Sequence, residues 1–269
     1  MAKTDDDIGT ASAPTSSGPV DTIDIAALAC PFRKNPHRVF PIEYGGRRLW
    51  VKRIRKNLPN PAAALIYHAV RIAFRHDEAA EADHEIKSLT ALRRYGFTTP
   101  EVVFRNPHYF ILSDIGPSLE TALHRGDAAE RERIVRLAGE ALRRLHDCGR
   151  WHGAARVHNM TLTPEGRIGF IDLENRVDIW LPLPVRRLWD LWQLGHSAAF
   201  FEPHVPLAET ALRAYGPGAV RRALYGLAVL FFGTYAALYP FRNIGKREIR
   251  QTHACIRAIY RAPRKRPGE

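Results

Sequence analysis

Cysteine is scarce in this chain, and its opening segment lacks a long apolar run. Only three cysteines occur in 269 residues, at Cys30, Cys148 and Cys255, and no two of them have C-x-x-C spacing. This distribution indicates neither a zinc site nor a disulfide framework. The first 24 residues are polar and small, with no apolar run before Ile23 of the length that a secretion signal needs. We therefore expect a disordered tail over residues 1–24 and a protein of the reducing cytoplasm.

Acidic residues are also in short supply, with 28 Asp and Glu against 40 Lys and Arg, and the formal net charge is +12. This excess favours an anionic partner, which composition leaves open as a nucleotide, a lipid surface, a phosphorylated glycan or a nucleic acid. No basic and aromatic motif of a known nucleic-acid-binding module is present, so nucleic acid is the least favoured. The length and a hydrophobic share of 45% suit one large domain or two lobes with a common core.

The most informative stretch is WHGAARVHNMTLTPEGRIGFIDLEN, residues 151–175. Its pattern predicts a loop, a short strand over residues 161–163, a turn at residues 164–166 and a second strand over residues 167–173. Pro and Gly mark the turn, and β-branched and aromatic residues fill the strands. An ordinary hairpin, in which Asp and Asn side chains only satisfy turns, is the alternative interpretation.

The same stretch resembles the catalytic centre of the protein-kinase-like superfamily, in which a loop of the form H-x-D-x-x-x-x-N precedes a hairpin that ends in an Asp. Here His152 opens the loop, Asn159 closes it and Asp172 ends the hairpin. The resemblance implies an α+β, two-lobed protein-kinase-like fold with a small β-rich N-lobe and a mainly helical C-lobe. The expected parts after the first tail are the N-lobe over residues 25–115, the C-lobe over residues 116–262 and a basic tail over residues 263–269.

The resemblance further implies a site for ATP and Mg²⁺. Asn159 and Asp172 would converge as oxygen ligands on one Mg²⁺ held against the phosphates, with Glu174 as a candidate further ligand. Arg156 stands where kinases place a cation that reaches the transferred phosphate, although an exposed loop arginine is the alternative. The sequence departs from the family at Ala154, which replaces the Asp that accepts the proton of the acceptor hydroxyl.

Upstream, the segment VFPIEYGGRRLWVKRI, residues 39–54, predicts a hairpin with a Gly-Gly turn. Lys52 in this hairpin corresponds to the nucleotide lysine of kinases, with a solvated lysine on an edge strand as the alternative. The glycine-rich phosphate loop that kinases carry before this hairpin is missing, because ACPFRKNPHRVF contains no glycine. Three basic residues of that segment could meet phosphates instead or remain solvated: Arg33, Lys34 and Arg38.

Residues 61–95 have a helical pattern, and Glu85 lies on this predicted helix. By the resemblance, Glu85 would pair with Lys52 and hold it on the nucleotide phosphates, with Glu81 and Glu78 as alternatives one and two turns earlier. We favour Glu85 because HEIKSLTALRRYGFTTPEVV resembles the E-x-x-x-L-x-x-L-x-x-x-G-x-x-x-P segment of bacterial lipopolysaccharide-core (Kdo-type) sugar kinases.

Three further segments complete the predicted fold. HYFILSDIG reads as a strand that leads into the connector between the lobes. An amphipathic helix then precedes the stretch of residues 151–175. Asp190, inside the aromatic segment PVRRLWDLWQLGHSAAF, resembles the kinase aspartate that accepts hydrogen bonds from the backbone of the catalytic loop. We assign Asp190 a structural role.

The C-terminal part offers two interpretations at each of two places. The uncharged run of residues 223–241 approaches the length of a bilayer core, but its Gly, Thr and Tyr content favours a buried helix of the C-lobe. The basic amphipathic segment that follows, with Ile249, Ile256 and Tyr260 on one face, would either rest on an anionic membrane or pack on the C-lobe.

Two functions remain open. The first is a kinase-like phosphotransferase that uses ATP and Mg²⁺ on a lipopolysaccharide-core or similar glycan or lipid acceptor, in the cytoplasm at the face of the inner membrane. The second is a pseudokinase that binds nucleotide or acts as a scaffold. If the protein is an enzyme, His158, His152 or Glu174 are the candidates to replace the base missing at Ala154.

Overall fold

The computed structural model describes residues 35–54, 78–173, 182–201, 206–230, 236–237, 240 and 247–261. Within these ranges an antiparallel sheet comes first and helices follow, so the predicted α+β fold is confirmed. The strands are β1 (Val39–Tyr44), β2 (Arg47–Arg53), β3 (Val102–Arg105), β4 (Tyr109–Ser113), β5 (Met160–Leu162) and β6 (Ile168–Phe170). The helices are α1 (Glu78–Arg94), α2 (Leu119–Arg125), α3 (Ala128–Asp147), α4 (Leu183–Ala198), α5 (Leu207–Tyr215), α6 (Ala219–Leu230) and α7 (Arg247–Arg261).

The first four strands form one antiparallel sheet in the order β1-β2-β4-β3. The predicted hairpin pairs Tyr44 with Arg47, and the two turn residues between them, Gly45 and Gly46, have φ values of +57° and +71°. Two successive positive φ angles define a tight turn that glycine adopts without steric cost. Strand β2 lies inside the sheet, paired on both sides, and this position places Lys52 in the interior rather than on an edge.

Helix α1 occupies the end of the segment predicted as helical, and residues 61–77 of that segment lie outside the described residues. The helix stops at a glycine turn, where Gly96 has a φ of +79° and the amide of Phe97 donates to the carbonyl of Leu92. Leu89 and Leu92 are buried on the same side as Glu85, so the packed face of α1 carries Glu85 into the protein.

The stretch predicted as a loop and a hairpin contains a 3-10 turn, Val157–Asn159, followed by the hairpin of β5 and β6. The turn lies where predicted, with Gly166 at a φ of +74°, but the second strand ends at Phe170 rather than continuing to residue 173. The reason is that Asp172 has a φ of +60°, which lies outside the β region, and the amide of Ile171 donates to the carbonyl of Asn159 instead.

The hairpin is held from both sides by the segments that connect sheet and helices. The amide of Phe170 donates to the carbonyl of Thr98, and the amide of Leu162 donates to the carbonyl of Pro117. Phe170 is fully buried and packs edge-on against Phe97. These bonds fix the hairpin, and with it Asp172, close to the end of α1 and to the connector that follows β4.

The helical part is built around α3, whose buried face includes Ile134, Ala138 and Leu142. Helices α3 and α5 pack closely because Gly139 has no side chain. An added Cβ at Gly139 would lie 2.5 Å from the carbonyl oxygen of Ala211. The small residue therefore allows the two backbones to approach each other.

The C-terminal helix α7 packs on the helical part, which is one of its two predicted arrangements. Cys255, Ile256 and Ile259 are buried, and the helix contacts α4, α5 and α6. The run of residues 223–241 lies partly outside the described residues, and its first part belongs to α6. None of the helices within the described ranges is long and apolar enough to cross a membrane.

The close approach of α3 and α5 generates a stability prediction. Gly139→Ala should lower the free energy of unfolding by up to about 2 kcal/mol, because overpacking a core typically costs about 1–3 kcal/mol and the gain in helix propensity is about 1 kcal/mol. Gly226→Ala is the matched control, since Gly226 lies in α6 with nothing within 4 Å of an added Cβ. The control should raise the free energy of unfolding by up to about 1 kcal/mol. Urea denaturation measures both, and a stabilised Gly139→Ala protein would contradict the packing described.

Candidate active site

Asp190 holds the beginning of the predicted catalytic loop. It is fully buried in α4, and its two carboxylate oxygens accept hydrogen bonds from the backbone amides of His152, at 2.6 Å, and Gly153, at 2.8 Å. His146 contacts the same carboxylate at 3.3 Å. A carboxylate buried in this way stabilises irregular backbone that has no sheet or helix partner. The sequence prediction for Asp190 is therefore confirmed.

The sequence reasoning did not identify two neighbours of Asp190 on α4. Gln193 accepts a hydrogen bond from Nε of Arg156 at 2.6 Å and donates to the carbonyl of Gly153 at 3.4 Å. Ser197 accepts a hydrogen bond from the amide of Val157 at 3.1 Å. The signal was present, because polar residues at 190, 193 and 197 recur at helical spacing within an apolar and aromatic segment. Together they attach the loop to one face of α4.

His146 and Tyr215 extend this network into the core and were also missed. Nδ1 of His146 lies 2.8 Å from the hydroxyl of Tyr215, and Nε2 of the same ring contacts Asp190. Burial raises the pKa of Tyr215 to about 12. The phenol therefore stays protonated and can donate to His146 at any physiological pH. Contacts between residues this far apart in the sequence leave no local pattern to recognise.

His152 plays the structural role of a neutral imidazole. Its Nε2 lies 3.2 Å from the carbonyl of Asn159, which can only accept, and its Nδ1 receives the amide of Ala154 at 3.4 Å. This arrangement requires one protonated and one unprotonated nitrogen. Burial is the main cause that lowers the pKa of His152, with opposing charge effects from Asp190 and Asp172. His152 is thus bound on both nitrogens and poorly placed to replace a missing base.

The side chain of Asn159 is oriented so that its own Oδ1 can act as a metal ligand. Its side-chain amide nitrogen donates to the carbonyl of Ala154 at 3.0 Å, and a carbonyl can accept only from the nitrogen end of the amide. The Oδ1 end therefore points away from that bond, and among the described residues no hydrogen bond to it is made. The backbone carbonyl of Asn159 accepts from the amide of Ile171, which directly precedes Asp172. Asn159 and Asp172 thus meet where the loop and the hairpin join.

Lys52, Glu85 and Asp172 form a buried ionic group. Nζ of Lys52 donates to both oxygens of Glu85, at 2.8 Å and 3.0 Å, and also to Asp172. The side chains of Lys52 and Glu85 are 5% and 1% exposed, whereas that of Asp172 is 36% exposed. Of the three glutamates considered as partners of Lys52, Glu85 is therefore the one that binds its ammonium. Within the described residues, this group of one ammonium and two carboxylates carries a net charge of −1, which favours an additional cation.

The backbone at Asp172 is in an uncommon conformation. It is the only non-glycine residue of the described ranges with a positive φ, at +60°. The left-handed region costs an ordinary residue about 1–2 kcal/mol, and such outliers persist where surrounding contacts hold them. Here the ion pair with Lys52 and the bond between Ile171 and Asn159 are those contacts. Because the carboxylate of Asp172 is partly exposed, a ligand from solvent can reach it.

The remaining predicted site residues are placed less tightly. Arg156 is exposed on the loop, with Nε held by Gln193, and its guanidinium still has donors that face solvent. Ala154, which stands where kinases have the catalytic aspartate, is buried within the loop. His158 is exposed. Glu174 and the segment before residue 35 lie outside the described residues, and the role of Glu174 stays a prediction.

The donors present suit Mg²⁺ bound together with a nucleotide. Magnesium prefers oxygen ligands and keeps several waters or phosphate oxygens, so one carboxylate and one amide oxygen are enough from the protein. Asp172 and Asn159 supply these two. No group of three or more His, Cys, Asp or Glu side chains able to hold a metal ion occurs within the described ranges.

The structure thus brings the strand lysine, the helix glutamate and the aspartate after the hairpin together in an α+β fold, with the buried helix aspartate behind the loop. No protein-family model matches this chain. A Haemophilus influenzae protein described as "Uncharacterized protein" is 23% identical over 141 residues, which cover 52% of this chain and 54% of that protein. The match thus spans about half the length of this curated relative.

Two solved structures are similar to this chain, each with a low TM-score. The bifunctional kinase-methyltransferase WbdD has a TM-score of 0.42 and 16% identity, with 88% of this chain and 45% of that chain covered. The complex of Rv3197 with erythromycin from Mycobacterium tuberculosis has a TM-score of 0.36 and 21% identity, with 51% of this chain and 42% of that chain covered.

The neutral state of His152 predicts a pH dependence of stability. The unfolded histidine takes up a proton near pH 6.5, whereas the lowered pKa of the folded state resists it. This contribution to the free energy of unfolding is therefore full above about pH 6.5 and is lost as pH falls toward the folded pKa. Denaturation curves between about pH 7 and pH 5 should show a shallower decline for His152→Gln than for the wild type. His158→Gln, in the same loop but exposed, should retain the wild-type slope, and equal slopes in all three proteins would refute the assignment.

Proposed function

We propose that this chain binds ATP with Mg²⁺ and transfers the γ-phosphoryl group to the hydroxyl of an anionic glycan or lipid. The observation that carries this proposal is the buried Lys52, held by Glu85 and Asp172 at the junction of sheet, helix and hairpin. A lysine of a central strand is costly to bury without carboxylates. A site that combines this lysine with a partly exposed aspartate suits the phosphates and the cation of a nucleotide.

Each residue has a distinct task in this proposal. Lys52 meets the phosphates of the nucleotide, and Glu85 keeps its ammonium in place. Asp172 and Asn159 would hold the Mg²⁺, which supplies neutralisation of the phosphate charge. Asp190, Gln193 and Ser197 act through the loop backbone and through Arg156, and are positioning residues.

Arg156 is the candidate group for the transferred phosphate. Its Nε is held by Gln193, and this bond orients a guanidinium fork that suits phosphate oxygens. In the transfer, the acceptor oxygen bonds to the γ-phosphorus while the bond between that phosphorus and the leaving oxygen of ADP breaks. The proton of the acceptor hydroxyl passes to water, because Ala154 supplies no carboxylate to accept it. Positioning and charge neutralisation nevertheless account for most of the acceleration in phosphoryl transfer.

The acceptor class in this proposal rests on three features. The segment of residues 84–103 resembles that of bacterial lipopolysaccharide-core sugar kinases, and the net charge of +12 favours an anionic acceptor. Arg250 and Arg261 are exposed on α7, whose apolar face is buried against the other helices. Peripheral contact with an anionic inner-membrane surface, from the cytoplasm, would therefore be electrostatic and weakened by salt.

Nucleotide binding tests the site directly. In calorimetry, ATP should bind to the wild type with Mg²⁺ present and much more weakly with EDTA. Asp172→Asn should weaken Mg²⁺-dependent binding by at least about 10-fold to 100-fold, the range seen when even an outer-shell partner of a metal is lost. Asparagine is chosen because it tolerates the left-handed backbone at this position.

Asp147→Asn is the matched control, because Asp147 is exposed on α3 and pairs only with Arg143 among the contacts of the described structure. It should bind as the wild type does. Equal affinity of all three proteins for ATP would remove Asp172 from the metal site.

A pseudokinase is the second candidate, and Ala154 is the observation that favours it. The loop around Ala154 is fully formed, with Asn159 and Arg156 both hydrogen bonded, although the usual proton acceptor is absent. Such a site can bind nucleotide without rapid transfer, because general-base catalysis contributes about 10²–10⁴-fold.

Restoring the carboxylate distinguishes the two candidates. In an enzyme limited by the missing base, Ala154→Asp should raise phosphoryl transfer or ATP hydrolysis by up to about 10²–10⁴-fold. Ala154→Asn, of the same shape without a basic oxygen, should not. If another group already serves as the base, Asp brings little gain, and His158→Ala or Glu174→Gln should abolish turnover. Absence of turnover in every one of these folded proteins, measured by release of ADP, would favour the scaffold.

A further inference from the structure

A cavity lies beside the candidate active site, between α1 and the backbone that leads into the predicted catalytic loop. Its volume is about 220 Å³, and its walls include His84 and Lys87 from α1 and Arg150 and Trp151 from the loop. His152 and Leu173 close the side next to the active site. Of the α1 residues on its wall, only Leu92 belongs to the buried face that carries Glu85.

The lining of this cavity is basic. Two of its residues, Lys87 and Arg150, carry positive charge, and none of the described residues on its wall is an Asp or Glu. The carboxylates that lie nearest in sequence are engaged elsewhere. Asp83 pairs with Arg105, Glu85 pairs with Lys52, and Glu101 pairs with Arg93. Lys87 and Arg150 thus bring positive charge to the wall of the cavity.

Arg150 is held in place before any ligand arrives. Its guanidinium donates to the hydroxyl of Tyr95 at 2.7 Å and lies over the Tyr95 ring, with Cζ 4.5 Å from the ring centroid. Only one of its side-chain donors is used in this way among the described residues. A stacked guanidinium loses little conformational entropy when it binds, and its remaining N–H groups match the oxygens of a phosphate.

An aromatic ring adjoins the basic groups. Trp151 lines the cavity, and Arg186 lies over its ring with Cζ 4.3 Å from the centroid. Ala91 and Leu92 add apolar surface on the helix side. An aromatic ring and short apolar side chains next to cations suit the flat face of a sugar that carries a charged group.

We propose that this cavity binds the phosphate group of a small phosphorylated sugar, at a site separate from that for ATP. A volume of about 220 Å³ lies below the range of about 300–1,000 Å³ typical of pockets for larger ligands, so a monosaccharide phosphate fits better than a nucleotide. Lys87 and Arg150 bind the phosphate, and Trp151 contacts the ring.

The location gives the site a consequence for the rest of the protein. The bound phosphate joins α1 through Lys87 to the loop through Arg150, and α1 also carries Glu85. A ligand that binds only the folded arrangement stabilises it. The sugar phosphate therefore stabilises the position of α1 that pairs Glu85 with Lys52.

The test is a titration of the full chain in EDTA with inorganic phosphate and with glucose 6-phosphate, followed by calorimetry. Both should bind, and the sugar phosphate should bind more tightly because of Trp151. Lys87→Gln and Arg150→Gln should each weaken binding by about tenfold or more, as expected for loss of a hydrogen bond between charged groups. Arg94→Gln is the matched control, since Arg94 is exposed on the same helix and outside the cavity.

Lys87→Gln keeps the test decisive if Arg150→Gln proves unstable, because Lys87 is exposed and makes no ion pair within the described structure. Asp172→Asn should leave sugar-phosphate binding unchanged, because Asp172 does not line the cavity. EDTA also prevents the sugar phosphate from binding through Mg²⁺ at the candidate active site. Absence of saturable binding, equal affinity in all the variants, or loss in Asp172→Asn alone would each overturn the proposal. Tighter binding of inorganic phosphate than of the sugar phosphate would overturn its assignment to a sugar. The outcome does not depend on whether ATP binds.

Discussion

The ammonium of Lys52 is the constraint on which the site depends. A lysine inside a sheet needs carboxylates, because an unpaired charge in the interior is destabilising by several kcal/mol. Glu85 and Asp172 meet that requirement from a helix and a hairpin that lie 33 and 120 residues away in sequence. One side chain thereby sets the positions of three segments, and those segments form the walls of the candidate active site.

The second requirement is that an irregular loop be buried without unpaired backbone groups. Helix α4 meets it through Asp190, which accepts two loop amides, while Gln193 and Ser197 bind the next part of the loop. His152 does the same from within the loop, as a neutral ring with one donor and one acceptor. This framework is independent of the residue at position 154. The loop therefore keeps the orientation of Asn159 although Ala154 supplies no carboxylate.

Sequence reasoning succeeded where the signal was local or belonged to a motif with ordered parts. The Gly-Gly hairpin, the helix that carries Glu85 and the role of Asp190 were all predicted, and the structure contains them. It failed where distant contacts override local preference. The strand predicted to reach residue 173 ends at Phe170, because the bond of Ile171 to Asn159 and the pairing of Asp172 with Lys52 draw the chain out of the β conformation.

The sequence by itself determined the order of strands and helices and the residue types of the site, because the spacing of apolar residues and the turn glycines act over a few residues. Only the tertiary structure decided which groups meet. It joined Gln193 to Arg156 and His146 to Tyr215, turned the apolar face of α7 onto the other helices, and brought Lys87 and Arg150 to one cavity. These contacts depend on how helices and sheet pack against one another, and that packing is a property of the whole core rather than of any segment.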